Sequence, residues 1–409
     1  MQDTQLYQQL LGLSGIWKVT KVDLKIKERT VEVRVECQEF VWGCPICAKR
    51  MHIRSYEERS WRHLDSCQFQ TLLICPTPRV DCDEHGSQMV QVPWAEPYGR
   101  FTALFERLAI DLMRECSTSA ACDILGISWD EADGIKQRAV RRGLARKQAQ
   151  PLPQLGVDEK AFGKGQKYVT IVARLDPGKS ATVEYVGDER KKETMDAFWA
   201  GLTENQLSSV KAVAMDMWEP FRLSTVDWVP NAAIVHDPFH LAAYMNKAVD
   251  KVRQQEHRQL LAQGDDSLMG TKHIWLYGWE NVPEKHQAAF DELKAGQLKT
   301  SRAWSIKEMF RSFWNCDTVA DGQEYFKRWY NWAIRCRLEP VKQVAKTFKR
   351  HLGNILTYFD HRLTNAALEG LNSKIQGLIK KACGYRNRDR FKTDIMFHCG
   401  GLNLYPEAQ

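Results

Sequence analysis

Two aspartates stand out because each lies in, or directly after, a segment typical of a buried strand. Asp158 lies in GVDEKAF, and Asp216 follows the apolar run VKAVAM. If the two strands are neighbours in one sheet, the carboxylates face each other, and two such charges repel unless a cation lies between them. The pattern predicts the first two ligands of a divalent metal site.

A third acid comes from a helix predicted in RLTNAALEGLNSKIQGLIKK, which we expect to open near Thr364 or Asn365. Its helical spacing gives one polar face and one apolar face. The apolar face can pack on the sheet while Glu369 approaches the two aspartates. The polar stripe contains Asn365, Glu369, Asn372 and Gln376, and the apolar face contains Leu368, Leu371, Ile375 and Leu378.

Three such carboxylates could hold two magnesium ions. These ions activate a water or a DNA 3′-hydroxyl and stabilise the leaving oxygen during attack on a phosphodiester. No Ser-His-Asp or activated-cysteine pattern competes for this role. The GKG segment at 163–165 lacks the spacing of a phosphate-binding loop, so we expect a hairpin turn there.

Each acid also has an ordinary structural explanation. Asp158 could lie in a solvated turn, Asp216 could cap the following helix, and Glu369 could be a surface charge. The three in combination favour the metal site. Glu159 is left out, because on a strand its side chain points to the opposite face from that of Asp158.

The segment HDPFH lies near the expected end of the same sheet. Its residues His236, Asp237 and His240 are further candidates. Structural hydrogen bonding, or support of the site, is favoured over metal ligation for them.

Two residue pairs have the spacing of a structural zinc site. Cys44 and Cys47 lie in CPIC after one strand-like run, and Cys82 and His85 lie in CDEHG after another. Two such pairs on tight turns can share one tetrahedral Zn²⁺. The alternatives are ordinary buried cysteines with an exposed histidine, or a ligand set that draws on His52, His63, Cys67 and Cys75.

Helical spacing begins after Pro97. It predicts a helix in FTALFERLAIDLMREC, a short helix ending at Gly126, and a third helix capped by Ser128. A helix, a glycine turn and a helix with a basic end are typical of the helix-turn-helix, whose second helix enters the DNA major groove. A plain helical hairpin gives the same pattern. The apolar face of the first helix is expected to hold Phe101, Leu104, Phe105, Leu108 and Leu112.

Two basic blocks account for much of the net charge of +7 and favour contact with DNA phosphates. Solvated helix faces are the alternative for either block. Residues 134–150 hold Lys136, Arg138, Arg141, Arg142, Arg146 and Lys147 with no acid. Residues 373–392 hold Lys374, Lys380, Lys381, Arg386, Arg388, Arg390 and Lys392 with the single acid Asp389.

Beyond the Pro-interrupted linker QAQPLPQL, strand and helix signals follow the order βββαβαβ. This order matches the ribonuclease-H-like mixed sheet, in which strands one and four are neighbours. Residues 241 to about 355 are helical and rich in Trp, which predicts an inserted all-α subdomain with the indoles in its core. Stacking of these rings on bases is the minor alternative.

We therefore expect a multidomain protein of the α+β and α/β classes, because 409 residues exceed one ordinary core. The expected segments are a zinc-binding β module at 1–97, the helix-turn-helix at 98–150, the first part of the catalytic sheet at 151–240, the all-α insertion at 241–355, and the rest of the catalytic domain with a basic C-terminal segment at 356–409.

The composition, 44% hydrophobic and 27% charged, is typical of a soluble globular protein. The sequence has no apolar run of membrane-spanning length and no signal peptide, so we expect a cytoplasmic location. In that compartment the twelve cysteines are expected to be reduced, some of them binding metal.

Over nearly its whole length the chain resembles the bacterial insertion-sequence transposases of the ISL3 family, a branch of the DDE transposases. By this resemblance Asp158, Asp216 and Glu369 match the first, second and third catalytic acids. His85 stands where many relatives have Cys, and imidazole is also a good zinc ligand. The matching segments are CPIC…CDEHG, VPWAEP, GVDEKAFGKGQKY, VAMDMWEPF, VHDPFHLAAYMNKAVDKVR and TNAALEGLNSKIQGLIKKACGYRN.

The resemblance implies Mg²⁺ or Mn²⁺ at the acids, recognition of terminal inverted repeats in double-stranded DNA, cleavage at the element's ends and strand transfer into target DNA. It also implies a dimer or larger assembly, associated with the bacterial nucleoid. Two other classes remain open from sequence. One is a non-catalytic zinc and helix-turn-helix regulator, and the other is a structure-selective nuclease of the same fold.

Overall fold

Alternation of apolar and polar residues with a period of two builds the first sheet of the chain. In β2, for example, Val31, Val33 and Val35 are buried while the residues between them are more exposed. The computed structural model describes residues 2–13, 15–163, 167–176, 178–296, 298–363 and 366–407. It divides into a first unit, Met1–Lys147 with Gly401–Gln409, and a second unit, Gln148–Gly400.

The first unit contains a five-stranded sheet in the order β1-β2-β6-β5, with β7 paired to β6. Strands β2 and β6 are parallel and the other pairs are antiparallel. Its core includes Trp17, Trp61 and Trp94, whose rings meet edge to face. The elements are α1 (Asp3–Leu10), β1 (Trp17–Lys25), β2 (Thr30–Cys37), β3 (Val41–Gly43), β4 (Arg50–His52), β5 (Ser55–Ser66), β6 (Phe69–Cys82) and β7 (Gly86–Met89).

Three helices follow: α2 (Ala103–Glu115), α3 (Thr118–Leu125) and α4 (Trp129–Ala145). The predicted end of α3 and start of α4 are confirmed. Gly126 ends α3 in the left-handed conformation, and Ser128 caps α4 in a capping box with Glu131. The predicted face of α2 is wrong in part, because Leu104 and Leu108 are exposed. The buried face holds Phe105, Glu106, Ala109, Ile110 and Met113.

Residues 401–407 complete the first unit by packing on these helices. The Leu404 side chain is buried, and its carbonyl oxygen accepts a hydrogen bond from Arg142 Nη1. Arg146 Nη1 donates to Tyr405 O at 2.7 Å, and the Tyr405 hydroxyl donates to Asp111. The sequence predicts that this segment belongs with the catalytic domain, but residues 401–407 pack on the helix-turn-helix helices of the first unit.

The second unit is built on a sheet of order β10-β9-β8-β11-β12. Strand β9 is antiparallel to both β8 and β10, and β11 is parallel to both β8 and β12. The expected adjacency of the first and fourth strands is confirmed. The elements are β8 (Gln154–Gly163), β9 (Lys167–Arg174), β10 (Thr182–Asp188), α5 (Lys192–Ala200), α6 (Glu204–Ser209), β11 (Ala212–Met215), α7 (Glu219–Trp228) and β12 (Ala233–His236).

A helical subdomain follows β12, as expected. Trp275, Trp304 and Trp329 are buried in its aromatic core, whereas Trp279 and Trp332 are more than one-third exposed. No described helix is both long and apolar enough to cross a membrane. The helices are α8 (Pro238–Leu261), α9 (Glu284–Ala295), α10 (Lys299–Arg311), α11 (Val319–Arg335), α12 (Glu339–Arg350), α13 (Leu352–His361), α14 (Ala366–Lys381) and α15 (Arg388–Cys399), with short 3₁₀ turns at Ile274–Leu276, Trp279–Asn281 and Ser312–Asn315.

Candidate active site and metal centre

The two aspartates lie at the same level of neighbouring parallel strands. Strand β8 pairs with β11 in a register that places Ala212 opposite Gln154 and Ala214 opposite Gly156. Asp216, directly after β11, and Asp158, within β8, each come two residues later, so the same register continued would place them at one level and on one face of the sheet. Open α/β sheets bind ligands at the carboxyl ends of their parallel strands.

Each aspartate has one oxygen held by the backbone. Asp158 Oδ1 accepts from the Glu159 amide, and Asp216 Oδ1 accepts from the Met217 amide, both at 2.7 Å. Asp216 does not cap α7, because Trp218 occupies the N-cap position. Two residues of the expected GKG turn, 164 and 165, lie outside the described residues, but Asp158 itself lies within β8 and is half-buried.

Negative charge accumulates at this edge of the sheet. Burial, together with the charges of Asp158 and Asp216, raises the pKa of Glu159 to about 7. Arg190 opposes that rise through an ion pair of 2.7 Å from Nε to Glu159 Oε1. The Arg190 guanidinium also lies 4.0 Å from the Trp218 ring centroid. Sequence reasoning missed Arg190, which lies beyond a turn and carries no motif.

Helix α14 packs beside Asp158. Its apolar residues Leu368, Leu371, Ile375 and Leu378 are buried as predicted. Glu369 is exposed on this helix, and Asn372 donates from Nδ2 to Asp158 Oδ2. Thr364 and Asn365, where the helix was expected to begin, lie outside the described residues.

The HDPFH residues have structural partners. His236 is buried, and its Nδ1 lies 3.2 Å from Met215 O. Burial lowers the pKa of His236 to about 4 and keeps the ring neutral. Asp237 caps α8 by accepting from the Phe239 amide at 3.1 Å. These contacts favour the structural interpretation of the segment.

The carboxylates suit hard divalent cations such as Mg²⁺, which prefer oxygen ligands. Their common level on β8 and β11, and the charge felt by Glu159, fit a cation held between Asp158 and Asp216. Glu369 would have to turn inward to join them. Within the described ranges, the three acids do not form a group with ligand atoms all within 4.8 Å of one another.

A compact metal-binding cluster does occur in the first unit. The ligand atoms of Cys44, Cys47, Cys82 and His85 all lie within 4.8 Å of one another. The first pair sits on the β3–β4 hairpin, and the second sits where β6 turns into β7 at Gly86. His85 lowers the pKa of the Cys82 thiol to about 6 by a hydrogen bond. Three sulfurs and an imidazole fit tetrahedral Zn²⁺.

The alternative zinc ligands lie in other settings. His63 is buried with Nδ1 2.9 Å from Thr102 Oγ1, and Cys75 is buried within β6. Cys67 and His52 are exposed. None of the four belongs to the cluster.

Several arginines of the first basic block have partners within the protein. Arg142 is buried and pairs with Glu96 at 2.6 Å and with Glu106 at 3.0 Å. Arg138 also pairs with Glu106, and Arg146 pairs with Glu407 at 3.1 Å. Lys136 is buried and donates to Thr118. Arg141 and Lys147 are exposed.

The second basic block is mostly exposed. Arg388 and Lys392 pair with Asp188, at 3.8 and 3.1 Å, and Lys374 donates to His398 O at 2.8 Å. The exposed members are Lys374, Lys380, Lys381 and Arg386.

Family models of known proteins match the zinc-finger, helix-turn-helix and catalytic segments of the chain. Residues 155–395 match a family model described as "Transposase", of the DDE type of ISL3. Residues 90–140 match the helix-turn-helix domain of transposase family ISL3, and residues 41–85 match the zinc finger of the transposases IS204, IS1001, IS1096 and IS1165.

Relatives match along the whole chain. The transposase for insertion sequence element IS1557 of Mycobacterium tuberculosis is 24% identical over 95% of this chain and 93% of its own length. The transposase for IS1001 of Bordetella parapertussis is 25% identical over 97% of this chain and 98% of its own length.

Proposed function

The chain belongs to the ISL3 family of DDE transposases, and on that premise we propose that Asp158, Asp216 and Glu369 are its three catalytic acids. It is a DNA-binding transposase that uses divalent metal and structural zinc. The observation that carries the proposal is the register of β8 and β11, which supports a shared metal site at Asp158 and Asp216.

In this proposal the three carboxylates hold the divalent ions, Mg²⁺ or Mn²⁺. When bound, such ions activate the attacking oxygen and stabilise the leaving one in phosphodiester chemistry. Asp158, within β8, and Asp216, directly after β11, are both half-buried. Glu369, on α14, turns inward to close the site when metal and DNA are present.

We assign zinc to Cys44, Cys47, Cys82 and His85, because their convergence fits a tetrahedral site. The zinc stabilises the turn between β6 and β7 against the β3–β4 hairpin. Its role is structural, since all four positions of the ion are filled by protein.

The DNA contacts are proposed for exposed cations. In the helix-turn-helix these are Arg141 and Lys147, and in the second block they are Lys374, Lys380, Lys381 and Arg386. Arg142 is not a DNA contact in this proposal, because its guanidinium is buried and hydrogen-bonded to two glutamates and a carbonyl oxygen. Arg138, Arg146 and Arg388 are secondary candidates, because each is only partly exposed.

The substrate is proposed to be the terminal inverted repeats of an insertion sequence, cleaved at the element's ends and joined to target DNA. The relatives are transposases for insertion sequence elements, which supports this choice. Two ends must be held together for joining, so we propose a homodimer or larger assembly. We also propose that the protein acts in the bacterial cytoplasm at the nucleoid, where its DNA is.

The test is a reaction on labelled duplex DNA carrying the element's terminal repeat, with Mg²⁺. We expect Asp158→Asn, Asp216→Asn and Glu369→Gln each to lower cleavage by at least about 1,000-fold, because each removes charge from the metal site. DNA binding, measured by fluorescence anisotropy without added Mg²⁺, should remain within about twofold of wild type.

Asp291→Asn, which changes an exposed acid of α9, serves as the matched control and should react like wild type. Loss of binding in parallel with cleavage would contradict the assignment of the acids. Cleavage by wild type without any joined product would support a nuclease in place of a transposase.

A further inference from the structure

One face of β8 is covered by α14. Gly156, Asp158 and Lys160 alternate along the strand and therefore share that face. Leu368 packs so closely on Gly156 that a Cβ there would overlap its side chain. Lys160 Nζ donates to the Asn372 carbonyl oxygen at 3.4 Å. Between these two contacts the Asn372 side chain reaches Asp158.

Both oxygens of Asp158 are engaged by donors from the protein. Oδ1 accepts from the Glu159 amide, and Oδ2 accepts from Asn372 Nδ2. An ionised carboxylate has only acceptor atoms, so the asparagine must present its NH₂ group to it. One donor on each oxygen fixes the rotation of the carboxylate about its χ2 bond, while each oxygen keeps lone pairs for another partner.

We propose that Asn372 is a positioning residue for the transposase reaction, holding the Asp158 carboxylate in the orientation that binds the divalent metal. The inference rests on the proposed role of Asp158 as a metal ligand. Hydrogen-bonding partners of ligating carboxylates orient them, and their loss typically lowers metal affinity 10- to 100-fold.

An asparagine suits this position better than a charged residue. A lysine would compete with the metal for the carboxylate, and an acid would add repulsion at an edge that already carries Asp158, Asp216 and Glu159. Asn372 also lies one helical turn beyond Glu369. The helix that carries the third acid therefore also orients the first.

Packing of α14 does not need this hydrogen bond. The helix is already held by Leu368, Leu371, Ile375 and Leu378, which are all buried. A variant that lacks only the amide should keep the fold and lose affinity for metal, which separates a positioning role from a purely structural one.

The experiment measures Mn²⁺ binding to the zinc-loaded full chain by the electron paramagnetic resonance signal of free Mn²⁺. We expect Asn372→Ala and the similarly sized Asn372→Leu to raise the apparent Kd for Mn²⁺ about 10- to 100-fold. Their melting temperatures, measured on the zinc-loaded chain without added Mn²⁺, should stay within about 3 °C of wild type. Gln376→Ala, an exposed change one turn further on α14, is the control and should bind Mn²⁺ like wild type.

The Asp158→Asn variant separates the positioning role of Asn372 from the metal-binding role of Asp158. If it loses Mn²⁺ binding while both Asn372 variants bind like wild type, positioning by Asn372 is wrong and the role of Asp158 stands. If Asp158→Asn itself binds like wild type, the proposed site is wrong. If the Kd rises only together with a large fall in the melting temperature measured without added Mn²⁺, in both Asn372 variants, the role of Asn372 is structural and the inference is overturned.

Discussion

Neighbouring arginines on one helix have opposite surroundings in this protein. Arg142 of α4 is buried between Glu96, Glu106 and the Leu404 carbonyl, whereas Arg141 points to solvent. Glu106 is almost completely buried and would be an uncompensated charge without its arginines. A run of basic residues can therefore contain both a structural cation and a candidate DNA contact.

The pair gives a matched test. Arg142→Ala should lower the free energy of unfolding of the first unit by about 3 kcal/mol, because the buried Glu106 carboxylate loses one of its two arginine partners. Arg141→Ala should change it by less than about 0.5 kcal/mol, as an exposed substitution. It should instead weaken DNA binding and reduce the salt dependence of log K by about 1. Denaturant unfolding and salt titrations of binding measure the two effects.

The reverse result, with Arg141→Ala destabilising and Arg142→Ala reducing only the salt dependence, would contradict the structural assignment. The sequence alone could not show that Arg142 is buried and Arg141 exposed. Their difference depends on Glu96, Glu106 and Leu404, which are far from α4 in the chain.

Among the site residues too, sequence predicts what depends on local spacing or strand order, but not what depends on contacts between distant segments. The two zinc pairs could be predicted because each pair depends on local spacing at a turn. The adjacency of the strands that carry Asp158 and Asp216 could be predicted, because it follows from the order of strands and helices along the chain. The contact from Asn372 to Asp158 could not, because helical spacing gives the faces of α14 but not its position along β8.

At the scale of elements, β5 of the sheet is joined to the first helix of the helix-turn-helix. Thr102 caps α2 by accepting from the Phe105 amide, and its hydroxyl also bonds His63 on β5. The Thr102 amide donates to Arg62 O at 3.0 Å. This junction fixes the entry to α2, and it contains a buried imidazole.

Acid should therefore weaken the first unit at this junction. Burial lowers the pKa of His63 from about 6.5 to about 4, so the folded state keeps the ring neutral while the unfolded chain takes up a proton. The stabilisation is complete above about pH 6.5 and is lost as the pH falls towards 4. At pH 5 the loss is about 2 kcal/mol, measurable by denaturant unfolding across that range.

His63→Gln keeps a group that can bond Thr102 but does not titrate. Because protonation of the zinc ligands also destabilises this unit in acid, the His63 contribution is the difference between wild type and the variant. Equal slopes of stability against pH for the two proteins between pH 6.5 and 4.5 would contradict the assignment.

Most elements could be predicted from the sequence, but not every buried face. Helix α2 was expected to bury Leu104 and Leu108, which are exposed, whereas Glu106 on the same helix is buried. Apolar spacing cannot anticipate a buried ion pair, which here draws Glu106 towards Arg138 and Arg142. Strand β5 was missed because its polar residues hide the alternation around Trp61 and His63.

At the scale of the whole molecule, the chain passes between the two units twice. It leaves the first unit after Lys147 and returns to it at Gly401. The returning segment is short and has no regular secondary structure, yet it bonds two arginines of α4 and buries Leu404. The sequence GGLNLYPEAQ carries no periodicity that could predict this.

Ending the chain after Gly400 should destabilise the first unit and spare the second. The loss of the buried Leu404 and of the hydrogen bonds to Arg142 and Arg146 should cost about 3–5 kcal/mol. Leu404→Ala should cost about 2–3 kcal/mol of this. Hydrogen exchange of the α4 amides, compared with amides of β8 and β9, measures the effect in each unit.

Glu407→Gln is the control. Its ion pair with Arg146 is exposed, so the change should cost less than about 1 kcal/mol. Protection of α4 that is unchanged in the shortened chain would show that residues 401–407 contribute nothing to the first unit.

The return of residues 401–407 to the helix-turn-helix also sets an order of events during synthesis. A ribosome makes the zinc module and the three helices first, but these lack a component that is translated only after the entire second unit. The first unit therefore reaches its complete form only after the whole second unit has been made. A truncated translation product would carry the helix-turn-helix sequence without the segment that packs on α4, and it should therefore bind DNA poorly.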